Sequence, residues 1–239
     1  MKKAFTMLEL IFVIVVIGIL AVVIVPRMEH NPTYEAGVQL LSHIRYTQHL
    51  ALVDDQYDIN DAQWYLERWQ LYFPNAGQAY MIFTDTNKDG SVDANLNYTT
   101  VEAAINPADS NRFLIGTPNG TFADVNRLSD DLNLNTQYDI ATVRINGGTA
   151  SIQGRIIFDH LGRIYRGSTD AGAVVADDQI TSPTDNLAIN AIVIKLCATG
   201  AACVNNNQAD NDQELAIRIE RETGYACILQ QGSNVNCMN

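Results

Sequence analysis

Residues 10–25 carry sixteen side chains in a row without a charge or a polar group, and Gly18 is the one gap among them. Eleven of the sixteen are Val or Ile, which in water lean toward strand. Counted from Phe5, the segment has 21 residues. As a helix rising about 1.5 Å per residue it would span about 31 Å, one bilayer core. In lipid every backbone N–H and C=O must be satisfied within the segment, so the run predicts a helix despite its β-branching. Glu9 stands near the start of that helix, and nothing nearby in the chain neutralises it. A carboxylate inside an apolar span is costly, which marks it as a functional group in search of a partner.

Three readings of this N-terminus compete. A secretory signal peptide needs a shorter apolar core and a small-residue cleavage site, and it has no use for Glu9. A plain membrane anchor, with Lys2 and Lys3 held in the cytoplasm and residues 28 onward outside, also leaves Glu9 without a role. The third reading gives it one. The stretch Lys2-Lys3-Ala4-Phe5-Thr6-Met7-Leu8-Glu9-Leu10 resembles the prepilin leader of the type IV pilin and type II secretion pseudopilin superfamily. That family has a short basic leader, a cut before Phe, a Thr-[Leu/Met]-[Leu/Ile]-Glu stretch and then a long apolar helix. Gly18 and Pro26 fall where such chains often carry Gly and Pro. Ala4 departs from the family's usual Gly but is also small.

The resemblance implies cleavage by a prepilin peptidase between Ala4 and Phe5 and N-methylation of Phe5. It implies a single-pass protein of the bacterial inner membrane with a periplasmic globular domain, and later incorporation into a pilus or pseudopilus. There Glu9 would meet the Phe5 ammonium of an adjacent pilin or pseudopilin subunit. A desolvated pair of this kind rewards correct axial register, because a subunit out of register leaves both charges unpaired. The expected organisation is a leader at 1–4, a transmembrane and assembly helix at 5–28, the periplasmic half of the same helix at 29–56 and a globular domain at 57–239. The expected fold is α+β and pilin-like: a long N-terminal helix, its first half transmembrane, packed on an antiparallel β-sheet with loop insertions.

Lys and Arg number 15 against 27 Asp and Glu, a net charge of -12. Such a surface repels nucleic acid at long range and suits bound cations. The four cysteines, Cys197, Cys203, Cys227 and Cys237, all lie in the last 43 residues. An even count clustered behind a membrane segment reads as two disulfides in an oxidising compartment, with the connectivity open. The rival is a metal site of four thiolates, although the spacing lacks paired C-x2-C knuckles.

Beyond Pro26 and Asn31-Pro32, two expected interruptions, a helical pattern resumes near Thr33. Val38, Leu41, Ile44, Ala51 and Leu52 fall near one stripe, broken by Gln48, with Glu35, His43, Arg45 and Asp54 on other faces. Residues 69–83 read as a hairpin around Pro74-Asn75-Ala76-Gly77. Residues 94–135 and 167–187 read as polar loops, the first with room for a short helix. Strands are expected at 139–145 and 191–197, and hairpins around Asp159-His160-Leu161-Gly162 and Arg221-Glu222-Thr223-Gly224. The stretches Ile157-Phe158-Asp159-His160-Leu161-Gly162-Arg163 and Thr223-Gly224-Tyr225 resemble motifs of the GspH/FimT-type minor pseudopilins. Some FimT-like pilins bind DNA through an arginine-rich C-terminal stretch. Here residues 224–239 hold no Lys or Arg, which argues against nucleic acid as a partner.

Asp85-Thr86-Asn87-Lys88-Asp89-Gly90-Ser91-Val92-Asp93 is the front of a calcium loop. Asp85, Asn87, Asp89 and Asp93 supply oxygens at positions 1, 3, 5 and 9, Ser91 a backbone carbonyl at 7, and Gly90 the sharp turn. Position 12 is Leu96 where a bidentate Glu is usual, so weak binding of Ca2+ is expected. An Asx-rich turn is the plain alternative. No G-x-S-x-G, phosphate-cradling loop or H-E-x-x-H is present, and the four His are scattered. No catalytic residue is expected. The chain reads as a structural minor subunit of a filament, with a filament-tip binding module (secreted substrate, surface or DNA) as the alternative.

Overall fold

In the computed structural model the apolar run forms helix α1, Met7–Ile24, of 18 residues. The structure describes residues 6–24, 31–74, 79–86, 88, 102–116, 125–145, 154–167, 182–184, 187–188, 190–204 and 206–238. It divides into two units, Met1–Asn31 and Pro32–Asn239.

The expectation of one long N-terminal helix, half in the membrane, is corrected. Among the described residues the α-helices are α1, α2 (Pro32–Val53) and α3 (Leu134–Tyr138), and none is the long helix expected. Among the described residues no helix is long and apolar enough to cross a membrane. Eighteen residues rise about 27 Å, short of the roughly 20 residues and 30 Å of a hydrocarbon core. Helix α2 has 22 residues, but Glu35, His43, Arg45 and His49 break its apolar surface. The placement as a single-pass inner-membrane protein is corrected on the same finding.

The second unit is built mostly of antiparallel strands. In chain order these are β1 (Gln70–Phe73), β2 (Met81–Phe83), β3 (Ile105–Asn106), β4 (Asp109–Phe113) and β5 (Ile140–Ile145). They continue with β6 (Gly154–Phe158), β7 (Ile164–Gly167), β8 (Ile192–Ala198), β9 (Glu214–Ile219) and β10 (Ala226–Ile228). One sheet runs β2-β1-β6-β7, a second β10-β9-β8-β5, and β3 pairs with β4. The expected first hairpin is present, with Gln70 opposite Phe83 and Tyr72 opposite Met81. The late hairpins pair Phe158 with Ile164 and Ile219 with Ala226. The short pair β3–β4 lies inside the stretch expected to be loop. Asp, Ser, Asn and Arg on β4 are exposed or half-buried, so no apolar alternation announces it.

Helix α2 packs on strands of both four-stranded sheets. Ala36, Leu40 and Ile44 are fully buried and share one core with Leu71, Phe158 and Ile217. The buried face differs from the stripe expected of large apolar residues: Val38 is 44% exposed and Leu52 50%. The face instead includes Thr33, Gly37, His43 and Thr47. A Cβ on Gly37 would come 2.5 Å from Leu215 Cδ2, so the missing side chain lets the helix close on β9. Thr47 donates to the His43 carbonyl oxygen at 2.8 Å, and His43 Nδ1 shares a 2.6 Å hydrogen bond with the Tyr80 hydroxyl. Polar groups satisfied in this way can be buried at little cost.

Candidate functional site

Ala4 and Phe5, the expected cleavage and methylation residues, lie outside the described residues. Glu9 is described, in the first turn of α1. Its backbone N–H donates to Thr6 Oγ1 at 3.3 Å and to the Thr6 carbonyl oxygen at 3.1 Å. Thr6 is therefore an N-cap and Glu9 the third residue after it, the Thr-x-x-Glu spacing of a capping box. A carboxylate there also favours the positive end of the helix dipole. The same two residues thus start the helix and carry its one charge. From Met7 to Leu20 the apolar side chains are exposed, Met7 by 83%, Phe12 by 69% and Ile17 by 59%.

Of the expected calcium ligands, Asn87, Asp89, Ser91 and Asp93 lie outside the described residues. Asp85 is buried, at the end of β2. Lys88, in the middle of the motif, pairs with Asp61 and, at 2.6 Å, with Glu67. These two carboxylates hold its ammonium above the ordinary lysine value. Among the described residues no group of three or more His, Cys, Asp or Glu could hold a metal ion.

The cysteines are settled. Cys197 pairs with Cys203 and Cys227 with Cys237, and no free cysteine is left for a thiolate metal site. The first disulfide ties the end of β8 to the loop behind it. The second ties β10 to the C-terminal segment.

A cleft that sequence reading missed lies where α2 ends against the first sheet. Asp54, Asp55, Trp64, Arg68, Trp69 and His160 line it. Asp54 is the first residue past α2 and accepts from Trp69 Nε1 at 3.0 Å. A 3-10 turn, Trp64–Glu67, brings Trp64 and Arg68 to the same place. The Arg68 guanidinium lies 4.8 Å from the Trp64 ring and 4.2 Å from the Tyr165 ring, and donates to the Pro183 carbonyl oxygen at 2.9 Å. Burial pulls it below the ordinary arginine value. Its Nε is buried without a hydrogen-bond partner among the described residues. Tyr57, 51% exposed, stands nearby, with its ring 5.0 Å from Trp64 and 6.1 Å from His160.

Beside the cleft, Asp159 opens the turn between β6 and β7. It accepts from the Leu161 and Arg163 backbone N–H groups at 3.0 and 2.9 Å, from Arg163 Nε at 2.8 Å and from the Tyr165 hydroxyl at 3.1 Å. So placed, it orients Tyr165 under Arg68 and locks the turn that carries His160. The cleft is small, with room for about one water molecule, and its rings and the Asp54 and Asp55 carboxylates form a shallow aromatic and acidic surface. The sequence signal was the density of Trp64, Tyr65, Arg68 and Trp69 in six residues.

Comparison with protein-family models, with curated proteins and with solved structures finds nothing that matches this chain.

Proposed function

We infer that this chain is a minor structural subunit of a helical filament of the type IV pilus or type II secretion pseudopilus kind. It is cut by a prepilin peptidase between Ala4 and Phe5 and joined to its neighbours through α1. The observation that supports this best is α1 itself: a helix apolar on every side, exposed along residues 7–20, with one carboxylate in its first turn. A helix hydrophobic all round is one that other protein buries. Copies of α1 would bury it in a filament, and the Glu9 charge would then need the ammonium of a processed Phe5. The motif Lys2–Glu9 supplies the processing signal. Two disulfides suit a subunit outside a reducing compartment. Glu9→Ala leaves the second unit folded and removes the protein from sheared filaments; recovery there at the normal level would sink this role.

The spacing of residues 85–93 adds calcium as a staple of one loop in the same subunit. Calorimetry should show calcium uptake that Asp85→Ala with Asp89→Ala removes, and unchanged binding by that variant refutes the assignment.

One observation favours a second reading, a binding module at a filament tip. The exposed Tyr57 ring stands against Trp64 and His160, next to the carboxylates of Asp54 and Asp55, as an aromatic and acidic surface patch. Pull-down with filament subunits against pull-down with secreted cargo separates the two, and Tyr57→Ala should weaken only the second.

A further inference from the structure

We propose that Lys195 and Asn206 form an intramolecular isopeptide bond, with Glu214 as the proton-transfer group. Lys195 lies on β8 and points into the fold, with a side chain only 1% exposed. Its Nζ is 2.9 Å from Glu214 Oε2, 2.9 Å from Asn206 Oδ1 and 3.1 Å from the Val204 carbonyl oxygen, with Asp210 Oδ2 at 3.5 Å. The Glu214 side chain is fully buried. Its Oε2 also accepts from the Asp210 backbone N–H at 2.9 Å, and its Oε1 has no hydrogen-bond partner among the described residues. Asn206 Nδ2 donates to Asp210 Oδ2 at 2.8 Å. A primary amine, a carboxamide carbon and two carboxylates are therefore gathered in one place, the amine and the Glu214 carboxylate buried and Asn206 and Asp210 nearer the surface.

An ion pair alone accounts for Lys195 and Glu214. It does not require a carboxamide held with its oxygen on the ammonium and its nitrogen on a second carboxylate. That arrangement is the one amide exchange needs: a nucleophile beside a base, close to an electrophilic carbon whose leaving group has an acceptor of its own.

The step balances. Glu214 takes one proton from the Lys195 ammonium. The freed lone pair on Nζ attacks Asn206 Cγ, and a second proton passes from Nζ to Nδ2. The Cγ–Nδ2 bond breaks, leaving one hydrogen on the new amide nitrogen. The departing ammonia takes the proton held by Glu214 and leaves as ammonium, which restores the carboxylate. No oxidant or co-reactant is needed. The bond would tie β8 to the loop before β9, beside the Cys197–Cys203 disulfide and independent of it. This inference does not depend on the filament reading.

A tryptic peptide map of the reduced full-length protein tests it. The expected result is no cut after Lys195 and a peptide spanning it that is lighter by one molecule of ammonia, with fragmentation placing the loss between Lys195 and Asn206. Asn206→Ala, at a partly exposed loop position, should restore both the cut and the sequence mass, and Glu214→Gln should reduce the linked fraction at least several-fold. A normal cut after Lys195 with unaltered masses in the wild-type chain overturns the proposal. A peptide lighter by one water instead would put the bond on a carboxyl group, Glu214 or Asp210, and overturn the assignment to Asn206. A cut still blocked in Asn206→Ala overturns it as well.

Discussion

Gly224 lies against Gly162: a side-chain carbon added to Gly224 would overlap the Gly162 carbonyl oxygen and stand 2.5 Å from Gln48 Nε2. The turns of two hairpins from different sheets therefore meet, and α2 meets both. Gln48 Nε2 donates to the Thr223 carbonyl oxygen at 2.6 Å, which seals the junction. Each glycine sits at positive φ, +79° for Gly162 and +62° for Gly224. Replacing Gly224 with Ala combines left-handed strain with a clash against backbone that cannot turn aside. We expect Gly224→Ala to cost about 2–4 kcal/mol, read from the urea midpoint at unchanged slope.

Arg68 should resist the conservative exchange. Its guanidinium lies between the Trp64 and Tyr165 rings and reaches the Pro183 carbonyl. A lysine ammonium is compact and cannot stack on two faces while donating sideways. Arg68→Lys and Arg68→Met should both lower stability by about 1–3 kcal/mol, with Lys no better than Met. Equilibrium unfolding compares them, and full rescue by Lys would show that charge alone matters at this position.

His43 predicts a pH dependence. Burial lowers its pKa in the fold, partly opposed by the Asp131 charge, whereas in the unfolded chain it titrates near about 6.5. Between the lowered value and about 6.5 the unfolded state binds more protons, so stability rises with pH across that window. Above it the contribution is fully present. As pH falls through the window stability is lost, and below the folded-state value the loss stops growing. Because carboxylates add slopes of their own, the informative quantity is a difference. The urea midpoint of His43→Gln should fall less steeply than wild type between about pH 6.5 and 5.

Reduction of the disulfides should destabilise the second unit. The pairs are separated by 6 and 10 residues in sequence, so loop-closure entropy gives each about 2–3 kcal/mol. Cys227→Ser with Cys237→Ser frees the C-terminal segment, held otherwise by backbone bonds such as Met238 N–H to the Ile228 carbonyl at 2.8 Å. Differential scanning calorimetry with and without reductant should show a lower melting temperature for wild type and a smaller reductant effect for this double variant.

Local features were legible. The turns at Asp159–Gly162 and Arg221–Gly224 and the strands around them follow from a few neighbouring residues, because a turn is specified by its own backbone requirements. The apolar N-terminal run was legible as a helix, but its bounds were not. Thr6 caps it, so the helix begins at Met7, two residues after Phe5, and the span loses the length that a membrane reading required. The cleft was illegible because its parts come from the end of α2, a 3-10 turn and the β6–β7 turn. Nothing in Trp64 or Arg68 alone states that His160 will be beside it.

Gln48 shows where the division falls. By itself the sequence determined the kinds of element and their turns, the helical character of residues 7–24, the acidity and the even set of cysteines. It also made Gln48 a break in an apolar stripe. Only the tertiary structure decided which face of α2 is buried, which cysteines pair, and that Gln48 ties α2 to the Thr223 turn where two distant hairpins meet. The physical reason is reach. Propensity and periodicity act over a few residues. The identity of a buried face or a buried pair depends on which distant segment arrives, and that is settled by the packing of the whole core.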